Sequence, residues 1–493
     1  MNVLLIYPEF PDTFWSFKHA LKLAHKRASS PPLGLLTIAA LLPPQWNKRL
    51  VDLNVARLTD RDLSWADAVF VSAMLVQREA ARSVIARCRA AGVRIIAGGP
   101  LFTSEYGQFE AVDHFVLNEG ELTLPPFLAD LAQGQAKRVY ATAEFADIRK
   151  SPVPLWSLAQ MRRYAAMSLQ YSRGCPFQCE FCNVTALFGH RPRTKGTDQV
   201  LAELDGLYTQ GWRGSVFFVD DNFIGNKKQL KTELLPALIA WQKTRGGLSF
   251  YTEASINLAD DPQLAELMVE AGFDTVFIGI ETPNEASLAE SGKHQNQSRN
   301  LVEDVKRLQR AGLQVQGGFI VGFDSDTPAI FQRQIDFIQK SGIVTAMVGL
   351  LQAIPGTRLY ERMQREGRLV SDGTGDNVSI STNIIPAMNL ETLQEGYKSI
   401  LRTIYAPENY YRRLKSFLWE YRPPKVRSVM SLGHKMALFH SIYRLGILGK
   451  ERLCFWKVML WALFKRPRLF SHALTLAIYG YHFRIICERY ILK

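Results

Sequence analysis

The stretch RGCPFQCEFCN, residues 173–183, carries three of the six cysteines in a chain of 493 residues: Cys175, Cys179 and Cys182, spaced C-x3-C-x2-C. Thiolate sulfur is the metal-ligating form of cysteine, and three thiolates this close face one centre only if the backbone loops around it. Gly174 and Pro176 supply turn chemistry for such a loop. A structural zinc site takes four ligands, usually in two close pairs. The nearest fourth donor is His190, eight residues past Cys182. Three cysteines on a 4Fe–4S cube instead leave one iron without a protein ligand, an open position for a small molecule. Cys88, Cys454 and Cys487 are scattered, which argues against a disulfide framework and for a reducing compartment.

The elements that must position this loop are legible downstream. SVFFVDDN, LSFYTEASIN, TVFIGIE, VQGGFIVGF and AMVGLLQAI alternate with helical patterns near 228–243, 260–271, 298–311 and 328–340. With the strand leading into Cys175 they make six βα units, the pattern of a parallel sheet. Ligands of such sheets sit at the carboxyl ends of the strands. Polar residues recur there: Asp220, Asp221 and Asn222, then Glu253 and Ser255, then Glu281, then Gly322 and Asp324. Each alone reads as a helix cap or solvated loop residue; recurrence at successive strand ends points to binding. Ahead of them, VLLIYP, RLVDLN, AVFVSAM, VRIIAGG and HFVLNEGE, with PPLGLLTIAALLPP as a helix, predict a flavodoxin-like α/β domain. Gly34, Gly98, Gly99 and Gly120 follow its strands or open its helices, where backbone turns sharply or passes close to a ligand.

CPFQCEFC, with aromatic Phe181 just before the last cysteine, resembles the signature of the radical S-adenosylmethionine (SAM) superfamily. The resemblance implies a (β/α)6 partial TIM-like barrel, a 4Fe–4S cluster on Cys175, Cys179 and Cys182, and SAM on the open iron. It implies SAM contacts from Phe181, Asp220, Asp221, Asn222, Glu253, Ser255, Glu281 and Gly322. VDDN stands where that superfamily usually has G-G-E, which receives the SAM amino group. Glu253 and Ser255 stand where ribose contacts are common. GIE (279–281) and GGFIVGF (317–323) stand where backbone approaches adenine and the methionine carboxylate, and PGTRLY (355–360) closes the core.

A Rossmann-like domain followed at once by such a barrel resembles the cobalamin-binding radical SAM enzymes, class B methyltransferases among them, over roughly residues 1–420. By that resemblance Gly34, Asp52, Asn54, Ser72, Gly98, Gly99, Glu119 and Gly120 line a corrinoid. The D-x-H-x-x-G motif of many corrinoid enzymes would put histidine at position 54. Amide nitrogen is a poor ligand beside imidazole, so Asn54 predicts cobalt without a histidine lower ligand; a degenerate domain that binds no corrinoid is the alternative. Methylthiotransferases place three cysteines in their first domain, where this chain has only Cys88.

Residues 421–493 hold fourteen Lys and Arg against Glu451 and Glu488, +12 of the chain's +13. The longest run there without Lys, Arg, Asp or Glu, 469–483, is fifteen residues, short of the ~20 that span a bilayer. Basic residues interleaved with Phe455, Trp456 and Trp461 suit helices lying on an anionic membrane surface; packing of their apolar faces on the barrel is the alternative. No RNA-binding motif accompanies the tail, so no nucleic-acid partner is expected. The opening MNVLLIYPEF lacks a basic n-region and reads as a strand, not a signal peptide. A cytoplasmic protein is expected, peripheral on the inner face of the membrane where the tail engages it.

These readings predict a cobalamin-binding domain over 1–140, a radical SAM barrel over 141–370 and a mostly helical region over 371–493. The resemblance implies that the reduced cluster cleaves SAM to a 5′-deoxyadenosyl radical, which takes hydrogen from an unactivated carbon that methylcobalamin then methylates. An electron donor such as flavodoxin or ferredoxin is implied, and a small-molecule substrate for which a lipid or isoprenoid is the guess. A non-methylating oxidative cyclase and a non-catalytic cobalamin or cluster sensor are the other readings.

Overall fold

The computed structural model describes residues 1–376, 378–423 and 438–492; residues 424–437, where the basic tail begins, lie outside the described residues. Strands β1 (Asn2–Tyr7), β2 (Asn47–Asp52), β3 (Ala68–Ser72), β4 (Arg94–Gly98), β5 (His114–Val116) and β6 (Val139–Tyr140) form a sheet in the order β2–β1–β3–β4–β5–β6. Strands β10 (Ser215–Phe218), β11 (Phe250–Glu253), β12 (Phe273–Glu281), β13 (Gln314–Val321) and β14 (Ala346–Leu350) form another, in the order β14–β13–β12–β11–β10, and β7 (Ala166–Leu169) precedes them in the chain. Between β7 and β10, β8 (Ser172–Arg173) and β9 (Arg193–Thr194) make an antiparallel ribbon. The chain divides into two compact units, the first of Met1–Pro11, Arg27–Cys175 and Asn183–Arg213, the second of Asp12–Lys26, Pro176–Cys182 and Gly214–Lys493.

In the first unit every pair from β2 to β6 is parallel, and the order 2-1-3-4-5 is the flavodoxin-like one expected, with β6 a short addition at the edge. Alternation along β1 explains the layers. Leu4 and Ile6 join Val69, Val71 and Ile95 against α2 (Arg78–Ala90), where Cys88 is a core residue. Val3 and Leu5 join Phe70 and Ile96 against α1 (Leu33–Leu41) and α3 (Gly120–Ala132). A sheet covered on both faces needs apolar residues at consecutive positions, which VLLI supplies.

In the second unit β10 to β14 are parallel throughout. One face of these strands, with Val216, Phe218, Phe250, Val276 and Ile278, is fully buried. The helices that alternate with them are α4 (Leu235–Thr244), α5 (Pro262–Ala271), α6 (Leu301–Ala311) and α7 (Ala329–Ser341). The alternate residues Phe217, Tyr251, Glu253, Phe277 and Gly279 are only half-buried. Phe217 stacks on Tyr251 with centroids 4.7 Å apart, and Trp15 tilts against Phe277 at 4.8 Å. Gly318 is required here, because a Cβ would sit 2.8 Å from the Phe277 ring.

After α8 (Arg358–Arg365) come α9 (Leu390–Tyr405), α10 (Pro407–Glu420), α11 (Arg452–Lys465) and α12 (Phe470–Ile486). The tail does not lie wholly on a surface. Phe483 of α12 is fully buried, 5.2 Å from Tyr405 and 5.3 Å from Phe14. The Tyr410 hydroxyl donates to the Leu476 carbonyl, and buried His482 contacts the Phe14 carbonyl at 3.1 Å. The packing alternative therefore holds for α12, which completes the core of this unit. Phe455, expected on a membrane, is buried as well. Among the described residues no helix is long and apolar enough to cross a membrane.

Candidate functional site

Cys175, Cys179 and Cys182 are in no disulfide and are half-buried. In the first unit Gly174 holds φ +93°, and a Cβ on it would meet the carbonyl oxygens of Arg191 at 2.8 Å and Gly189 at 2.9 Å. Only glycine permits that approach. Cys175 N–H donates to the Gly189 carbonyl at 3.3 Å, so the ribbon loop sets the position of this thiol.

Within the second unit the loop carrying the other two cysteines is tied down residue by residue. Cys182 N–H donates to the Cys179 carbonyl at 3.2 Å. Glu180, between them, donates its N–H to the Ser291 carbonyl at 2.8 Å and accepts the Leu359 N–H at 3.0 Å. Its carboxylate pairs with Arg362 of α8 at 2.7 Å, and Arg362 also reaches Asp324 at 2.7 Å. Arg358 donates to the Gln178 carbonyl. PGTRLY thus clasps the cysteine loop. Phe181 packs edge-on to Phe323, 6.2 Å away.

Glu281 ends β12 with φ +62°, beside a register shift in the β12–β13 pairing. A left-handed glutamate is strained and persists where its surroundings hold it. Asn296 donates to the carbonyls of Gly279 and Ile280, both at 3.0 Å, and Gln334 donates to that of Glu281 at 3.2 Å. The Glu281 carboxylate accepts from Lys293 Nζ at 2.7 Å. Burial opposes the Lys293 charge, but Glu281 and then the sulfurs of Cys179 and Cys182 raise its pKa above the ordinary lysine value. Gln295 Nε2 lies 3.8 Å from Cys179 Sγ. A cation and an amide therefore stand beside these cysteine sulfurs. Lys293, Gln295, Asn296 and Arg362 did not stand out in the sequence; KHQN after a strand end was the available signal for the first three.

At the ends of β10 and β11, Asp220, Asp221 and Glu253 come together. Burial, then Asp221 and Asp220, push the Glu253 carboxyl up to about 8. Asn222 and Ser255 hold the two strand ends together, the Asn222 Oδ1 accepting from Ser255 N–H at 3.2 Å and from its hydroxyl at 3.3 Å. Gly322, at φ +105°, donates its N–H to the Asp326 carboxylate at 3.0 Å. Asp324 is held by Arg368 and Arg362, which keep its pKa low against burial.

In the first unit, buried Asp52 accepts from Asn54 N–H at 2.9 Å, from Asn54 Nδ2 at 2.7 Å and from the Tyr164 hydroxyl at 2.9 Å. The Asn54 Oδ1 accepts from Phe10 N–H at 2.9 Å. A Cβ on Gly98 would lie 2.5 Å from the Val116 carbonyl oxygen, one on Gly99 2.4 Å from Ser72 Oγ, and one on Gly120 2.5 Å from Ile38 Cδ1. The backbone contact at Gly98 and the left-handed φ of +90° at Gly99 demand glycine by packing and conformation alone, whereas the Ile38 methyl can move from Gly120 and at Gly34 a Cβ would meet nothing within 4 Å. Glu119 receives Arg193 at 2.9 Å and Arg173 at 3.1 Å, and Arg173 also pairs with Glu121 at 2.8 Å. Burial would raise the Glu121 carboxyl, but Arg173 holds it at about 2.

Residues 169–338 match the radical SAM superfamily, and residues 357–492 match a domain of unknown function (DUF4070). An uncharacterized methyltransferase of Synechocystis sp. is 40% identical over 98% of this chain and 91% of its own length. The hopanoid C-2 methylase of Rhodopseudomonas palustris is 36% identical over 93% of this chain and 89% of its own. Among solved structures, the radical SAM methyltransferase TsrM of Kitasatospora setae, with cobalamin and a [4Fe–4S] cluster, superposes with a TM-score of 0.64 at 14% identity, covering 99% of this chain and 100% of that one. The C-x3-C-x2-C motif, the parallel sheet of alternating strands and helices and relatives alike over nearly their whole length lead to one conclusion: the chain belongs to the radical SAM enzymes and, with these two relatives, to a methyltransferase family among them.

Proposed function

We propose that this enzyme transfers a methyl group from SAM to an unactivated carbon of an apolar, lipid-like substrate, with 4Fe–4S, SAM and cobalamin as cofactors. When bound, cluster and SAM supply a hydrogen-abstracting radical, and the corrinoid supplies the methyl group. The observation that carries the reading is the donor set. Three closely spaced cysteines on braced loops suit three irons, and the clustered acidic side chains Asp220, Asp221 and Glu253 suit the SAM amino group. Asn222, Ser255, Phe181, Glu281 and Gly322 shape the same strand ends. The corrinoid is assigned to 1–140, to Asp52, Asn54, Ser72, Gly98, Gly99 and Glu119 at or after strand ends and to Gly34 and Gly120 at helix starts, none of them a histidine. SAM chemistry is assigned to 141–370 and the helical region to 371–493.

Substrate class is supported by the half-buried aromatic face of β10 to β12, where Trp15, Phe217, Tyr251 and Phe277 offer stacked rings to a hydrocarbon. A relative named as a hopanoid methylase fits a polycyclic isoprenoid. A reducing partner of the flavodoxin or ferredoxin type supplies the electron, and peripheral contact with the inner face of a cytoplasmic membrane brings enzyme and lipid together. The test is anaerobic reconstitution with iron, sulfide and cobalamin, then assay of SAM products. Formation of both 5′-deoxyadenosine and S-adenosylhomocysteine is expected. 5′-Deoxyadenosine alone would favour the cyclase-like reading, and a Cys179→Ala variant as active as the parent would overturn the cluster assignment.

A further inference from the structure

Helix α11 carries apolar residues all round its circumference, more than one buried face needs. One side is covered: Phe455, Val458, Met459 and Ala462 are buried in the second unit. The other is not. Leu453 is 73% exposed, Trp456 37%, Leu460 47%, Leu463 46% and Phe464 77%. Positions 453, 456, 460, 463 and 464 fall on one stripe of a helix. Trp456 Nε1 donates to the Gly446 carbonyl at 2.9 Å. That bond sets the stripe beside the preceding turn, where Tyr443, Ile447 and Leu448 are also exposed. Monomers in water rarely show contiguous apolar surface of this extent without a partner for it.

The surroundings of the stripe say which partner. Arg452, Lys457 and Lys465 are exposed on the same helix. Beside it opens a cleft of about 460 Å³, lined by Lys306, Lys340, Arg412 and Lys415, with Trp419 and Trp461. Lys415 Nζ stands 5.3 Å over the Trp461 ring, and Trp461 belongs to α11, so cleft and helix are continuous. Glu420, the one acid lining the cleft, is engaged by Lys306 at 3.4 Å. Residues 438–492 carry nine Lys and Arg against two acids, and Glu451 is paired with Arg484. A second copy laid on this stripe would set one cationic rim against another. An anionic partner with an apolar interior satisfies both rim and stripe.

We propose that the exposed stripe of α11, with the adjoining turn, is the face on which this enzyme docks to an anionic phospholipid surface. Leu453, Leu460, Leu463 and Phe464 enter the acyl boundary, Trp456 and Trp461 lie at headgroup level, and the lysines and arginines meet the phosphates. This deepens the peripheral-contact part of the reading above. It rests on neither cluster nor turnover, so either claim can fail without the other.

The test is co-sedimentation of the full-length protein with phosphatidylcholine vesicles containing about a third phosphatidylglycerol. Binding is expected at low salt, weakening as the Debye length shrinks from about 10 Å at 0.1 M to about 3 Å at 1 M, and little is expected on phosphatidylcholine alone. The variant Leu453→Glu/Phe464→Glu changes two side chains outside the core, so its melting temperature and SAM cleavage are expected to stay at the parent's values while its partition falls at least about tenfold. Lys457→Glu/Lys465→Glu is expected to remove most of the salt dependence. The proposal is overturned if the parent ignores phosphatidylglycerol vesicles at low salt or if Leu453→Glu/Phe464→Glu binds as well as the parent. A parent dimer that this variant splits would overturn it too, assigning the stripe to a second copy.

Discussion

Glu253 offers the sharpest prediction at the SAM site. Its carboxyl is raised to about 8, by burial first and by Asp221 and Asp220 next. At pH 7 it is therefore about nine-tenths protonated in the absence of ligand. If the SAM amino cation sits among these carboxylates, it pulls the pKa down and expels the proton. Binding at pH 7 is then expected to release close to one proton, whereas at pH 9 the carboxyl is already ionised and the SAM amino group, with a pKa of about 8 when free, takes up a proton instead. By the same linkage SAM affinity rises about tenfold between pH 6 and 7 and declines above pH 8, where free SAM loses its amino charge. The assay is anaerobic calorimetry of SAM binding in phosphate and in Tris, whose ionisation enthalpies differ, so that released protons appear as a difference in heat. Glu253→Gln fixes the neutral form; it is expected to abolish proton release and to bind no more tightly at pH 9 than at pH 7. Equal heats in the two buffers at pH 7, or a Glu253→Gln variant that keeps the rise between pH 6 and 7, would refute the placement of the cation.

Arg362→Ala leaves Glu180 without its partner and frees the cysteine loop from α8. A loss of about 3 kcal/mol and faster loss of iron from the reconstituted protein are expected, with Arg362→Lys intermediate; iron content and denaturant melts check this. His482 is buried and its pKa is lowered to about 4 by that burial. Because the folded value lies below the unfolded one near 6.5, its stabilisation is complete above pH 6.5 and fades as pH falls to 4, a span worth about 3 kcal/mol. Urea melts from pH 7.5 to 4.5 are expected to track it, and His482→Phe to flatten part of the acid limb. In the first unit Asn54 is consumed by Asp52 and Phe10. The cobalt(II) form is therefore expected to lack the nitrogen superhyperfine splitting of an imidazole ligand in electron paramagnetic resonance; a nitrogen triplet would contradict it.

What was legible in the sequence was local and periodic. VLLIYP, AVFVSAM and VRIIAGG read as strands of a doubly wound sheet, and the cysteine spacing announced its own loop. Glu253 and Glu281 stood out because strand ends collect polar residues. What supports them was not legible, because it comes from positions distant in sequence. Lys293 reaches Glu281 from twelve residues on, and Arg362 reaches Glu180 across 182. Residues 12–26 follow a first-unit strand yet belong to the second unit, where Phe14 packs on Phe483. The tail misled for another reason: composition shows that α11 and α12 are apolar and basic but not which side of each is covered. The buried side of α12 follows from packing on Tyr405 and Tyr410, residues that carry no mark in the sequence.

The central claim is methyl transfer to carbon of a lipid-like substrate. The most direct measurement uses SAM carrying a trideuterated methyl group, with the reconstituted enzyme, a reductant and an extracted lipid fraction, followed by mass spectrometry. Incorporation of one intact CD3 group into an isoprenoid-type lipid is predicted, with 5′-deoxyadenosine and S-adenosylhomocysteine formed in equal amounts and both lost in Cys179→Ala. Turnover of SAM with no label in any extracted lipid, or label transferred by the Cys179→Ala variant, would contradict it.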